Sequence, residues 1–152
     1  MLLKIISPIG IPFQGKVEKV IIPTQVGEIA VLPNHNPLSS IIKPGIVKIM
    51  PVEKINPEKM TTAIHFILED ERINIAVSQG VLYLDGENIL MFVSTATTNP
   101  NTEKEDLEKM KIQLEKDIQE IKIKGSVEEI EKAYLTLQKI TADLKLHKIK
   151  GN

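Results

Sequence analysis

Through the first hundred residues, apolar positions come in short runs that mostly alternate with polar ones, and turn-forming residues separate the runs. A period of two marks half-buried strands. The pattern predicts strands near 2–6, 16–22, 28–32, 46–50, 61–68, 72–78, 81–84 and 88–94. Isoleucine is abundant in them, and β-branched side chains suit a pleated, half-buried surface. Two hairpins stand out. Asp70-Glu71 joins the run 62–68 to Ile73-Asn74-Ile75-Ala76-Val77, and Asp85-Gly86-Glu87-Asn88 joins Val81-Leu82-Tyr83-Leu84 to Ile89-Leu90-Met91-Phe92-Val93. Many short strands at this spacing predict an all-β sandwich or barrel.

Beyond residue 100 the period changes. Leu107, Met110, Leu114, Ile118 and Ile121 recur at spacings of three and four, as do Ile130, Ala133, Leu137, Ile140 and Leu144, with Tyr134 and Thr141 alongside. Each set predicts a helix with one apolar stripe. Thr102-Glu103-Lys104-Glu105 and Ser126-Val127-Glu128-Glu129 fit capping boxes, and Gly125 stands where the first helix should stop. The short Lys124-Gly125 link requires an antiparallel hairpin. All nine prolines lie at or before residue 100, and helices exclude internal proline. The fold class is therefore β + α: a sandwich domain over 1–98 and a helical hairpin over 102–150. Stripe burial falls short of the entropy lost in ordering such a hairpin, so it should lean on the sheet or on a partner and be able to change position.

Length and charge narrow the function classes. The 152 residues suit one domain, or one domain plus an appendage, and can bury a core without a disulfide or metal. With 19 basic and 20 acidic residues, the chain has no basic footprint for nucleic acid and no polybasic membrane anchor. Zero cysteine removes thiol catalysis, cysteine-containing zinc sites and disulfides. The apolar run at 1–6 is too short for a signal peptide, and no window approaches 18 apolar residues, so a soluble chain is expected.

Candidate chemistry is sparse. Gly10-Ile11-Pro12-Phe13-Gln14-Gly15-Lys16-Val17 nearly spells a phosphate-binding loop, but Val17 replaces the hydroxyl residue that ligates magnesium, and Pro12 removes a cradling amide. The segment reads as a turn between strands. His35, His65 and His147 share no ligand spacing, so no metal site is expected. His65 reads as an ordinary strand residue and His147 as a favourable charge at a helix C-terminus. Glu69-Asp70-Glu71 reads as a solvated hairpin tip. No nucleophile pairs with a base, so an enzyme acting alone is disfavoured.

The most specific stretch runs from Val20 to Leu38 through Gly27-Glu28-Ile29-Ala30-Val31-Leu32-Pro33-Asn34-His35-Asn36-Pro37, followed by Lys43-Pro44-Gly45. It resembles the bacterial-type epsilon subunits of F-type ATP synthases, whose pattern runs approximately G-E-x-G-V-L-P-G-H-A-P-L and then K-P-G. Val77-Ser78-Gln79-Gly80-Val81-Leu82-Tyr83-Leu84 through Ser94-Thr95-Ala96 is similar to the family's V-S-G-G-F-x-E-V and V-L-A-D-T-A segments. Ser7-Pro8-Ile9-Gly10 with Phe13-Gln14-Gly15-Lys16-Val17-Glu18 matches its opening. The resemblance implies a ten-stranded sandwich with a C-terminal helical hairpin, seated without a cofactor on the rotor's central stalk. It implies a noncatalytic subunit coupling ion flow to ATP synthesis, peripheral on the cytoplasmic face of the inner membrane without insertion. By motif position, Glu28 would face the ring of c subunits, and Pro33, His35 and Pro37 the gamma subunit. In bacterial members the hairpin lies on the sandwich or extends along gamma toward the catalytic alpha and beta subunits, where it opposes hydrolysis. Lys132, Lys139, Lys145, Lys148 and Lys150 would then meet an acidic segment, unless they are simply a solvated helix face.

Departures from the family pattern are specific. Ile29-Ala30 replace Phe-Gly, Asn34 and Asn36 replace Gly and Ala, Ser94 replaces Asp, and residues 51–60 form a longer loop than usual. The ATP-binding signature of some bacterial members, I/L-D-x-x-R-A, has as its nearest counterpart Leu107-Glu108-Lys109-Met110-Lys111-Ile112. Glu108 and Lys111 are thus the nucleotide-binding candidates, but lysine cannot reproduce a bidentate guanidinium fork. The rivals are an ATP-sensing regulator and an unrelated sandwich and coiled-coil adaptor, with a hydrolase more distant.

Overall fold

The structure, a computed structural model, describes residues 1–53, 66–69, 71–100 and 102–150. Among the described residues ten strands and two helices follow in order. They are β1 (Leu2–Ser7), β2 (Gly10–Thr24), β3 (Gly27–Val31), β4 (Leu38–Ile42), β5 (Gly45–Pro51), β6 (Ile67–Glu69), β7 (Arg72–Val77), β8 (Gly80–Leu84), β9 (Asn88–Val93), β10 (Ala96–Thr97), α1 (Lys104–Lys124) and α2 (Val127–Ile149). The order β1-β9-β8-β4-β2-β5-β7-β10 closes on itself because the first half of β2 also pairs β1. A register shift between Val17 and Lys19 lets this 15-residue strand leave β1 and continue against β5 and β3. Leu3, Ile5, Leu82, Ile89 and Met91 from one layer meet Val20, Ile22, Val47, Ile49, Ile73 and Ile75 from the other in one fully enclosed cluster. This is a β-sandwich followed by two helices, as the alternation and the composition shift predict.

The details differ in instructive ways. The segment 10–17, read as a turn, lies inside β2 with Phe13 paired to Ile5, and the turn falls one step earlier, at Pro8-Ile9. Phe13 and Val17 point inward on one face, which is strand periodicity. β4 escaped the sequence reading because Pro37 and Pro44 bracket it and its Leu38 and Ile41 are exposed rather than buried. β10 is only two residues long. The β8–β9 hairpin stands in the expected register, Leu84 opposite Ile89. In the other hairpin Glu69 pairs Arg72, while 62–65, His65 included, and 54–60 of the longer loop lie outside the described residues.

The helices are antiparallel and joined by Gly125-Ser126 alone. Ser126 caps α2, its Oγ accepting from the Glu129 amide at 3.3 Å. The N-cap of α1 is Glu103 rather than Thr102, and its side chain makes no capping hydrogen bond. Gly125 is extended (φ −92°), and it is needed for space: a Cβ there would lie 2.8 Å from the Ile121 carbonyl oxygen. α1 packs on α2, and α2 packs on β5, β6 and β7. α2 therefore has two apolar faces, not one. Ala133 and Ile140 are buried with the stripe facing α1, while Ala142 and Leu146 pack with Ile149 against Ile46 and Ala76. That cover explains why Ile73 to Val77 are buried without alternation. Met110, expected in the α1 stripe, is 48% exposed.

Candidate functional site

Glu28 is the second residue of β3 and is exposed beside a tight turn. Thr24 Oγ1 donates to the Gly27 carbonyl at 2.6 Å, Gly27 takes φ +117°, and Val26 projects from the tip 86% exposed. His35 sits beyond the far end of β3, so strand length separates it from Glu28 and the two form no single site. Its amide donates to Leu32 O and its Nδ1 to Asn36 O at 2.8 Å, holding the ring half-buried against the β8–β9 turn between exposed Pro33 and Pro37. Asn34 occupies left-handed backbone (φ 64°), which asparagine tolerates better than other non-glycine residues, so it can stand where the family pattern has glycine.

That second turn is itself well fixed. Asp85 accepts from the Glu87 and Asn88 amides at 3.0 and 2.7 Å and from Asn88 Nδ2 at 3.0 Å. The Asn88 side chain, then the two amides, hold the Asp85 carboxyl below the usual carboxylate range. Pro33 and Asn34 line one recess with Gly86 and Asn88, and Asn88 also lines a neighbouring groove of about 480 Å³ with Leu2, Lys4, Tyr83 and Leu90.

This groove opens onto a surface that sequence reasoning missed. On the outer face of β4-β8-β9-β1 the register aligns Ile41, Val81, Phe92 and Ile6 in one row and Ser39, Tyr83, Leu90 and Lys4 in the next. Ile41, Val81, Tyr83 and Phe92 are 52, 38, 49 and 41% exposed, and the Tyr83 and Phe92 rings meet edge to face at 6.3 Å. The signal was present in Val81-Leu82-Tyr83-Leu84 and Ile89-Leu90-Met91-Phe92-Val93, which are apolar on both faces. A strand apolar on both sides calls for a cover on both sides. α2 covers the opposite layer, at β5 and β7.

The lysines of the second helix do not form one face. Lys139 binds Asp143 at 3.0 Å, Lys150 Nζ donates to Asn99 Oδ1 at 3.3 Å, and Lys132 is exposed toward the hairpin tip. Lys139 and Lys145, six residues apart, lie about 120° apart round a helix. Lys145 and Lys148 instead line an interhelical groove of about 530 Å³ with Lys104, Glu108, Lys111, Ile112 and Leu144. Both nucleotide candidates, Glu108 and Lys111, are therefore in one place. His147 is no solvated terminal charge: it is 5% exposed, and Nε2 donates to the Thr102 carbonyl at 2.8 Å. Asp143 Oδ1 and His147 Nδ1 are buried with no hydrogen-bond partner among the described residues, each costing about 1–3 kcal/mol. Among the described residues no three His, Cys, Asp or Glu side chains converge on a metal position, and no helix is long and apolar enough to cross a membrane.

The model of the ATP synthase delta/epsilon chain β-sandwich domain matches residues 1–99. The chain belongs to this family. ATP synthase epsilon chains of Aquifex aeolicus and Persephonella marina are 31 and 32% identical, over 61 and 74% of this chain and 57 and 74% of their own lengths. That of Nitratiruptor sp. is 33% identical, with 60% of its length matched, so the chain spans under two thirds of two of these relatives. The fold is shared with a chain of the Euglena gracilis mitochondrial ATP synthase OSCP/F1/c-ring structure. There the TM-score is 0.64 at 15% identity, over 92% of this chain and 76% of that one. A chain of the Tetrahymena thermophila mitochondrial ATP synthase central stalk/c-ring structure gives 0.53 at 10% identity, over 95 and 96%.

Proposed function

We propose that this chain is the noncatalytic epsilon-type rotor subunit of an F-type ATP synthase, coupling ion flow through the membrane ring to ATP synthesis in the head. Family membership supplies the assembly, and the uncovered apolar rows on β8 and β9 supply the observation that carries the partner reading. An exposed apolar face of this kind marks a protein interface. The rows run without a break through the Asn88 groove to the His35 loop, so both belong to one surface for the gamma subunit. The Glu28 turn is left for the polar loops of the c ring. The helical hairpin is the regulatory element, folded on the sandwich here and restraining hydrolysis when it reaches the catalytic subunits. Binding is peripheral, at the cytoplasmic membrane face, through protein contacts alone.

The test is co-purification with the cognate gamma subunit. Wild type should elute with gamma in stoichiometric amounts, and Phe92→Asp or Val81→Lys should release it while the isolated chain keeps its melting temperature. Separate elution of wild type at micromolar concentration sinks the rotor reading and favours an adaptor. A second reading, nucleotide sensing, gains from the groove that gathers Lys104, Lys111, Lys145 and Lys148 around Glu108. Four ammonium groups can screen a polyphosphate, though none is a planar fork. Millimolar ATP that leaves the melting temperature unchanged rules it out.

A further inference from the structure

We propose that the last turn of α2 and the loops at the Glu28 end of the sandwich act as one coupled unit, with His147 as the latch between hairpin and linker. The proposal rests on the reading of a hairpin that can leave the sandwich, and adds which residues hold it and what its release changes.

The latch is a set of polar contacts onto the segment that enters α1. His147 donates from Nε2 to Thr102 O, and three residues earlier in the linker Asn99 accepts from Lys150 Nζ. The end of the hairpin is thus tied to its own beginning. Asp143, one helical turn before His147, is equally buried and holds an exposed Lys139 with one oxygen, while the other has no partner among the described residues. An interface that leaves such atoms unsatisfied competes poorly with water, so it is suited to opening.

From the linker, hydrogen bonds continue across the end of the sandwich. β10 pairs Val77 and Ala76, directly beneath the α2 contact. The Ser78 amide donates to Thr95 O at 3.1 Å, and the Ser94 amide to Gln79 O at 3.0 Å. Gly80 pairs Ile42 and Gly45 pairs Val77, which brings in the β4–β5 turn. The Lys43 amide then donates to Pro23 O and the Gln25 amide to Ile41 O, each at 3.0 Å, and Gln25 belongs to the Glu28 turn. The row has no slack: a Cβ on Gly80 would overlap the Phe92 carbonyl oxygen, and one on Gly45 would lie 3.1 Å from the Pro23 ring. Close-packed elements shift together rather than deform singly. By linkage, a partner seated on the Glu28 turn tightens the latch, and a closed latch tightens that seat by the same factor.

Amide hydrogen exchange on the full chain tests this, with His147→Ala and His147→Gln compared to wild type. Glutamine keeps an N–H donor at similar reach. In His147→Ala the amides of residues 142–149 should exchange roughly tenfold faster. Ser78 and Ser94 should follow severalfold and Lys43 and Gln25 less, while His35 and Asp85 at the opposite end stay unchanged. His147→Gln should restore most of the protection. The proposal is overturned if α2 opens without the loop row, if α2 does not open, or if both ends accelerate equally. Gamma capture, measured on the same variants, reports separately on the rotor reading.

Discussion

The sandwich and the docked hairpin are held by different kinds of contact. Among the described residues one enclosed cluster of eighteen apolar side chains draws on both layers of the sandwich, whereas four buried residues, two of them alanines, plus Ile149 join α2 to its outer face. Small side chains let the helix come close but bury little area, and polar contacts through His147 and Lys150 complete the attachment. One chain thus carries a scaffold closed by a large apolar core and an arm docked through a small one. The difference lies in how much apolar surface closes each joint, not in the helix or strand propensity of the parts.

The largest expected effect breaks the scaffold. Ile49→Ala removes a fully buried side chain between β2 and β7 neighbours and should cost about 4 kcal/mol. Chemical denaturation should show the whole chain unfolding earlier, helices included, because α2 loses the sheet it stands on. Leu146→Ala strikes the other joint. Leu146 is fully buried but in the small cluster, so about 2–3 kcal/mol should fall on docking alone. Helix amides should then exchange faster while Ile75 and Leu82 keep their protection. Equal loss in both regions would mean that the two are one cooperative unit and that the contrast fails.

How far this contrast was legible in sequence depends on which face of an element mattered. Strands with one buried face were readable, since Ile89, Met91 and Val93 alternate and fall inward as expected. Helix existence followed from spacing and from proline exclusion. The second face of α2 was not readable: Ala142, Leu146 and Ile149 are a short stripe beside the longer one, and Asp143 and His147 disguise it as polar surface. Burying them takes a tertiary partner 45 residues away, the Thr102 carbonyl, which no local pattern encodes. The candidate sites divide the same way. Motif spacing singled out Glu28 and His35, but only strand register revealed that Ile41, Val81 and Phe92 form one row.

A smaller effect sharpens the comparison inside the arm. Gly125→Ala places a Cβ 2.8 Å from the Ile121 carbonyl and 2.9 Å from a Glu129 oxygen, so the turn must shift. The expected cost is about 1–2 kcal/mol, confined to the hairpin tip. Exchange at the ends of α1 and α2 should rise, while the latch at the opposite end of the hairpin holds. A change that reached residues 146–149 would show that the helices dock as one rigid body.

The smallest effect belongs to the scaffold's far end and depends on pH. Asp85 is solvent-exposed, and its three hydrogen bonds favour the ionised carboxylate, lowering its pKa in the folded chain. A depressed folded value means that the unfolded chain takes up the proton first as pH falls. The stabilisation is therefore complete above the ordinary carboxylate value near 3.8 and fades as pH drops through the lower folded value. Asp85→Asn should be slightly less stable than wild type at neutral pH, with the gap closing in acid. Urea midpoints of the two proteins, compared from neutral pH downward, decide the matter. A gap that persists at the acid end would show that the turn is held by its backbone geometry, with Gly86 at φ +102°, and owes nothing to the charge.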